Sequence, residues 1–312
     1  MKILSRRMLN HHSIGSGKVR EKFSIPGEVM LMLILTTDRI SAFDRVIGEI
    51  KRKGRILNEL AVAWKRFFEH IIINDVVCSD DVAIAKYYGC TSVAPELAGR
   101  LCIVKRARVI PIECIVRFSL EGSLDKEYRK VEKTGGMIWG LWFPKGLIKG
   151  EILPKPVFTP STKAETGHDL NISFDEMEKI ISTWLKENPQ INGLNAKLLC
   201  QAIKSTSLAL ASIGREKMAR LGYHLLDTKF EFGLIYDFEE DEYKLCLIDE
   251  VLTPDSSRAV SKGRHSDKQI LRDWLENGFG WDKESDPPKI PPCIEKEIIS
   301  GYSAFYQAAI TS

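Results

Sequence analysis

The chain has no long hydrophobic run. Its longest apolar stretch, Val29 to Leu35, falls far short of the roughly 20 residues that a membrane-crossing helix needs. It also has no C-x-x-C pair: Cys78, Cys90, Cys102, Cys114, Cys200, Cys246 and Cys293 are odd in number and widely spaced. That spacing excludes a zinc ribbon and a fully paired disulfide framework, leaving reduced thiols that act as small apolar groups. The six histidines form no H-E-x-x-H or triad pattern, and only His168, followed by Asp169, sits among other polar loop residues. A strong basic excess is missing too. A formal charge of +3 with pI near 8.4 is too mild for a dedicated nucleic-acid binder and suits small anionic ligands. Internal repeats and low-complexity tracts are absent. Lys2, Arg6 and Arg7 precede the first acid, Glu21, as in a transit peptide, but the glycines from Gly15 leave little room for a removable leader. The expected compartment is the cytoplasm, with neither membrane nor nucleic acid as a partner.

What is present fits a chain of two lobes. At 312 residues the length is about twice that of an ordinary domain, and the composition changes near residue 110. Residues 1–110 read as a strand-rich lobe, with strands over Lys18 to Ile25, Val29 to Leu35 and Leu101 to Ile110. Apolar residues at helical spacing (Leu57, Leu60, Ala61, Trp64, Phe67, Phe68) predict one amphipathic helix up to His70. Residues 111–312 read as a larger lobe. From Glu113 to Gly167, Pro144, Pro154, Pro156 and Pro160 predict short strands with long loops. Ser173 with Glu176 forms a capping box opening a helix to about Glu187, and a second helix runs from Ala196 to Leu221. Tyr223 to Tyr236 and Tyr243 to Leu252 predict a hairpin across the acidic turn Asp237 to Glu242. Helices Gln269 to Glu276 and Cys293 to Ala309 close the chain. The class is α+β with largely antiparallel sheets.

Gly15, Gly17, Lys18 and Arg20 offer two flexible residues and two cations at a strand start. A P-loop needs a hydroxyl residue after the lysine and a helix beyond it; here Val19 and a strand follow. A glycine hairpin over nucleotide phosphates and an ordinary turn both fit. Further on, Asp227, Lys229 and Glu231 alternate, so all three project from one face of a strand, with Phe230 and Phe232 on the other. Asp249 and Glu250 follow the partner strand. Carboxylates on adjacent strands can hold Mg²⁺ while ATP phosphates complete its shell; a solvated charged face explains the spacing equally. Polar loops are predicted at Asp38–Arg39–Ser41–Asp44, at Thr159–Ser161–Thr162–Lys163–Glu165 and at Thr253–Pro254–Asp255–Ser256–Ser257–Arg258. Arg117 and Ser123, beside Gly122, flank a predicted turn and could seat a phosphate. Lys51, Arg52, Lys53 and Arg55 either draw in an anion or form a solvated turn.

Several segments carry a resemblance. Gly17-Lys18-Val19-Arg20, Thr37-Asp38-Arg39-Ile40-Ser41-Ala42-Phe43-Asp44, Lys53-Gly54-Arg55, Pro111 through Arg117 to Gly122-Ser123, Phe158-Thr159-Pro160-Ser161-Thr162-Lys163, Asp227-Thr228-Lys229-Phe230-Glu231 and Asp249 through Thr253-Pro254-Asp255-Ser256-Ser257-Arg258 resemble the SAICAR synthetase family, in family order. The resemblance implies two α+β lobes with ATP between them, related to kinase and ATP-grasp nucleotide-binding folds. It implies a ligase that makes an amide from carboxyaminoimidazole ribonucleotide (CAIR) and L-aspartate, through an acyl phosphate, with ATP and Mg²⁺. It assigns Gly17, Lys18, Arg20 and Lys229 to the ATP phosphates, Glu231 and Asp249 to Mg²⁺, and Val109 to Glu113 to the adenine. Arg117, Ser123 and Arg258 match the ribonucleotide set, with Asp38 and Ser41 beside it and Lys163 at the substrate end. Lys18 and Lys229 would carry catalysis, with Asp255 as candidate base, in a monomer or homodimer. The alternative is a kinase-like phosphotransferase, which lacks H-R-D and D-F-G sequences here; RNA binding through Lys51 to Arg55 is a third reading. Ala259, Val260, His265 and Trp139 depart from the family pattern.

Overall fold

The computed structural model describes residues 2–163, 169–191 and 193–310; Glu165 and His168 lie outside them. The described chain divides into two compact units. One comprises Met1–Ala107, Thr253–Asp255 and His265–Ser312, the other Arg108–Leu252 and Ser256–Arg264. The tail groups with the first unit, where the Pro292–Ile310 helix buries Ile298, Tyr302 and Phe305.

The first unit is built on a five-stranded antiparallel sheet containing Arg20–Ile25, Glu28–Thr36 and Leu101–Lys105. Alternation along these strands sends Phe23, Leu33, Leu35, Leu101 and Ile103 into one core, and Ile34, Cys102 and Val104 onto Val62 of the Lys53–Phe67 helix. Val29 is 82% exposed, so only the second half of the apolar Val29 to Leu35 stretch is buried. The helix starts against backbone: a Cβ on Gly54 would meet the Thr37 carbonyl oxygen at 2.8 Å, and the Gly54 N–H donates to Asp38 Oδ1 at 2.8 Å. Glycine is required there by space rather than by conformation.

The second unit is organised by a six-stranded sheet. Its long strand, His224–Asp237, pairs along one side with Arg108–Ser119. Its other side is shared between Glu242–Ile248 and Ser257–Ser261. Ile152–Thr162 forms the edge beyond Arg108–Ser119. All of these pairings are antiparallel, as expected. Two strands are longer than the prolines predict. Pro154, Pro156 and Pro160 are tolerated because their strand lies at the edge, and Pro111 sits where the register against the long strand shifts between Val109 and Glu113; these are the positions at which a strand can do without an N–H. Ser257 and Arg258, expected in a loop, lie on a strand. The hairpin, the capping box at Ser173 and both helices form as expected, over Phe174–Glu187 and Ala196–Arg220. Those helices cover one sheet face, where Phe230 and Phe232 are almost fully buried, each contributing roughly 2 kcal/mol of burial.

Candidate active site

The opposite face of that sheet is polar. Residues directly opposite each other on paired strands share a face, and the register sets Glu113 beside Glu231 and Ser161, and Arg117 beside Asp227, which in turn faces Arg258. Alternation adds Lys229 and Thr159 to the same side. The face is polar and yet mostly hidden: Glu113, Arg117, Thr159, Ser161, Asp227 and Glu231 are all buried. Buried charge is costly unless paired, so the partners define the site.

At one end the charges alternate in sign. Lys229 Nζ lies between Glu113 Oε1, to which it donates, and Glu231 Oε1 at 3.7 Å. Lys163 donates to the other oxygen of Glu231. Burial by itself lowers a lysine, yet Glu231 and Glu113 outweigh it and hold the Lys229 ammonium above the usual lysine range; Lys163 is raised by Glu231 and Asp249 against the same opposing burial. Burial raises the Glu113 carboxyl, and Lys229 only partly offsets that. Asp249 follows Ile248, the cross-strand partner of Glu231, and has φ 58°. Its charge reaches both lysines. Three carboxylates and two ammonium groups therefore share this end.

At the other end Arg117 is the centre. Contrary to the expectation of a turn, it lies inside a strand and is 2% exposed. Its guanidinium donates to Thr159 Oγ1 at 2.8 Å, Ser123 Oγ at 2.9 Å and Asn171 Oδ1 at 3.3 Å, with Asp227 at 3.8 Å. Burial lowers its pKa to about 10 against the pull of Asp227. Asp227 also accepts from Arg258. Gly122, at φ 60°, ψ −129°, lies so close that a Cβ would meet Arg258 Nη2 at 2.7 Å. Only glycine suits that conformation and that gap. Asn171 escaped sequence reasoning; it is brought in by a single bridge to Ser161, and no local motif announces it.

The remaining expected residues divide between the units. Val109 is partly exposed opposite Gly233. In the first unit, the Gly17 N–H closes the glycine hairpin on the Arg20 carbonyl at 2.7 Å, and Lys18 Nζ reaches Asp44 Oδ1 at 2.5 Å. Asp38 holds the helix start and lies 3.6 Å from Arg100; Ser41 pairs with Val46 on a short hairpin. Asp255 does not sit as a base. It is buried in the first unit, accepting from Lys53 Nζ at 2.8 Å and the Tyr302 hydroxyl at 2.7 Å, with Lys268 at 3.4 Å. Burial would raise its pKa, but Lys268 and Lys53 reverse this and hold it well below the usual carboxylate range. A carboxylate so committed is a poor proton acceptor, and it supplies the counter-charge of the buried Lys53.

A covered sheet face with alternating charges at one end and an arginine, hydroxyl and amide cluster at the other belongs to an α+β enzyme that handles a charged small molecule. The SAICAR synthetase family model matches residues 13–288. The phosphoribosylaminoimidazole-succinocarboxamide synthase of Desulfotalea psychrophila is 37% identical over 307 residues, covering 95% of this chain and 93% of that protein. That of Syntrophobacter fumaroxidans is 40% identical over 300 residues, covering 93% and 89%. A solved SAICAR-synthase from Saccharomyces cerevisiae, complexed with SAICAR, aligns with TM-score 0.75 at 29% identity over 96% of this chain and 95% of that one. The chain belongs to the SAICAR synthetase family.

Proposed function

We propose that this chain joins the amine of L-aspartate to the carboxylate of CAIR, driven by ATP, giving the succinocarboxamide, ADP and phosphate in purine biosynthesis. The observation that carries the reading is the run of Lys163, Glu231, Lys229 and Glu113 along one sheltered sheet face. A carboxylate is a weak acylating agent, so its oxygen takes the terminal phosphoryl of ATP, ADP departs, and the aspartate amine then displaces phosphate from the acyl carbon and loses a proton. Little covalent work falls to the protein in such transfers; placement and charge neutralisation do most of it.

Lys229, steered by Glu113 and Glu231, is assigned to the transferring phosphoryl, and Lys163 to the substrate end. Gly17, Lys18 and Arg20 are assigned to the ATP phosphates and Val109 to the adenine. Arg117, Ser123 and Arg258 are assigned to the ribonucleotide, with Asp38 and Ser41. The donor set fits Mg²⁺. Among the described residues no three acidic, histidine or cysteine side chains form a metal cage, and Mg²⁺ commonly takes one or two carboxylates while phosphate and water complete its octahedron. Glu231 and Asp249 would hold it, and when bound it neutralises phosphate charge. Among the described residues no helix is long and apolar enough to cross a membrane.

The test is ADP release by the pure protein with ATP, Mg²⁺, CAIR and aspartate. Release that needs both CAIR and aspartate, with succinocarboxamide formed in equal amount, is expected. ADP formed without aspartate, or with a hydroxyl acceptor alone, refutes the ligase and favours the phosphotransferase.

A further inference from the structure

The Gly136–Ile138 and Leu141–Phe143 strands pair as a hairpin with Ile138 opposite Leu141, so Trp139 and Gly140 form a two-residue turn. Both have positive φ, 47° and 79°. Turns with two left-handed central residues favour asparagine, aspartate or glycine at the first position. A bulky aromatic there is strained, and such strain persists where the surroundings fix it, often at sites that work. Here the surroundings are visible. The half-buried Trp139 side chain packs on the cluster of Leu124, Tyr128, Ile138 and Phe143, and its ring lies 5.7 Å from the guanidinium carbon of Arg117. Thr159, Ser123 and Asn171 hold the nitrogen edge of the same guanidinium. Edge bonds leave a planar group able to tilt about them; an aromatic ring beneath the cation restrains that tilt and limits its hydration.

We propose that Trp139 is a positioning residue for the ribonucleotide: it sets the plane of Arg117 before the anion arrives. The proposal rests on the assignment of Arg117 to the ribonucleotide. It also explains why the turn keeps an unfavourable residue, since the residue that suits the turn cannot cover the arginine.

The deciding variant is therefore Trp139→Asn, which improves the turn and removes the ring, beside Trp139→Phe, which keeps a ring. CAIR and ATP affinities are measured by calorimetry, turnover by ADP release, and folding by thermal midpoint. Trp139→Asn should bind ATP unchanged and bind CAIR roughly tenfold more weakly, the cost of ordering one freed side chain on binding. Trp139→Phe should restore CAIR affinity to within about threefold of wild type, on the weaker ring face of phenylalanine. Unchanged CAIR affinity in Trp139→Asn overturns the proposal, as does a parallel loss of ATP affinity with a lowered midpoint. A wild type that binds CAIR without ligating it refutes the reaction and leaves the Trp139 comparison decisive; a wild type that does not bind CAIR overturns both.

Discussion

Replacing Lys229 by methionine removes one positive charge from between two carboxylates while keeping most of the side-chain volume. The Lys229 ammonium stands 3.7 Å from Glu231 and is hydrogen-bonded to Glu113. At that separation, an effective dielectric of about 20 gives roughly 4 kcal/mol of attraction per pair. The lysine side chain is 33% exposed, so water screens part of this, and returning the ammonium to solvent recovers hydration. A net loss of about 2 kcal/mol at pH 7 is expected, below the 3 to 5 kcal/mol (roughly) of a fully buried pair. Without the lysine, Glu113, already raised by burial, rises further. Taking up a proton then relieves the repulsion from Glu231, so the deficit should shrink as pH falls from 7 to 5. Urea unfolding of both proteins at the two pH values measures this, and turnover should drop by about three orders of magnitude, as for loss of a charge on a transferring phosphoryl. Equal stability at pH 7 together with near-normal turnover would refute the placement of Lys229 as both the clamp of the two carboxylates and the phosphoryl contact.

Glu231→Gln and Asp249→Asn should each raise the Mg²⁺ concentration needed for half-maximal ADP release by about tenfold or more, since each removes one anionic oxygen donor; an unchanged Mg²⁺ requirement in both sinks the metal assignment. Gly122→Ala places a methyl against the Arg258 guanidinium in a conformation alanine resists, and should raise the KM for CAIR more than that for ATP, read from initial rates. Asp255→Asn leaves Lys53, whose side chain is fully buried, without its counter-charge, and should lower stability by about 3 kcal/mol at pH 7. Because Asp255 is held below its ordinary value, its contribution is complete above about pH 4 and fades as pH falls further. Wild-type unfolding should therefore steepen below pH 4 while the variant's does not, and matching acid limbs would contradict the assignment.

Helices were the most legible part of the sequence because their signals are local. The capping box at Ser173 and Glu176 and the 3.6-residue spacing after Leu57 need no knowledge of distant residues. The alternation of Asp227, Lys229 and Glu231 was legible for the same reason, and so was the apolar back formed by Phe230 and Phe232. What stayed hidden depended on partners. Prolines in Ile152–Thr162 read as breaks because nothing in the sequence says that the strand has an unpaired edge. Arg117 read as a turn residue, although its burial is made tolerable by Thr159, Asn171 and Asp227 from three other segments. Asp255 sat inside a motif that suggested chemistry, and only the positions of Lys53, Lys268 and Tyr302 show it to be a buried counter-charge.

The shift in register at Pro111 ties the fold to the site. If the pairing of Val109 with Gly233 continued unchanged, Glu113 would stand directly opposite Lys229 as a simple ion pair. The irregularity moves the strand by two residues, which preserves which side chains face which side but sets Glu113 opposite Glu231. Like charges directly across a sheet destabilise it, so this register holds because Lys229 reaches diagonally between the two carboxylates and Lys163 takes the remaining oxygen of Glu231. The unfavourable part of the arrangement is local. The aromatic burial that drives the strands together lies on the other face, where a two-residue shift costs nothing in alternation. The register shift at Pro111 thus turns a simple ion pair into a cluster of carboxylates and ammonium groups, the donor set on which the proposed phosphate and cation contacts rest.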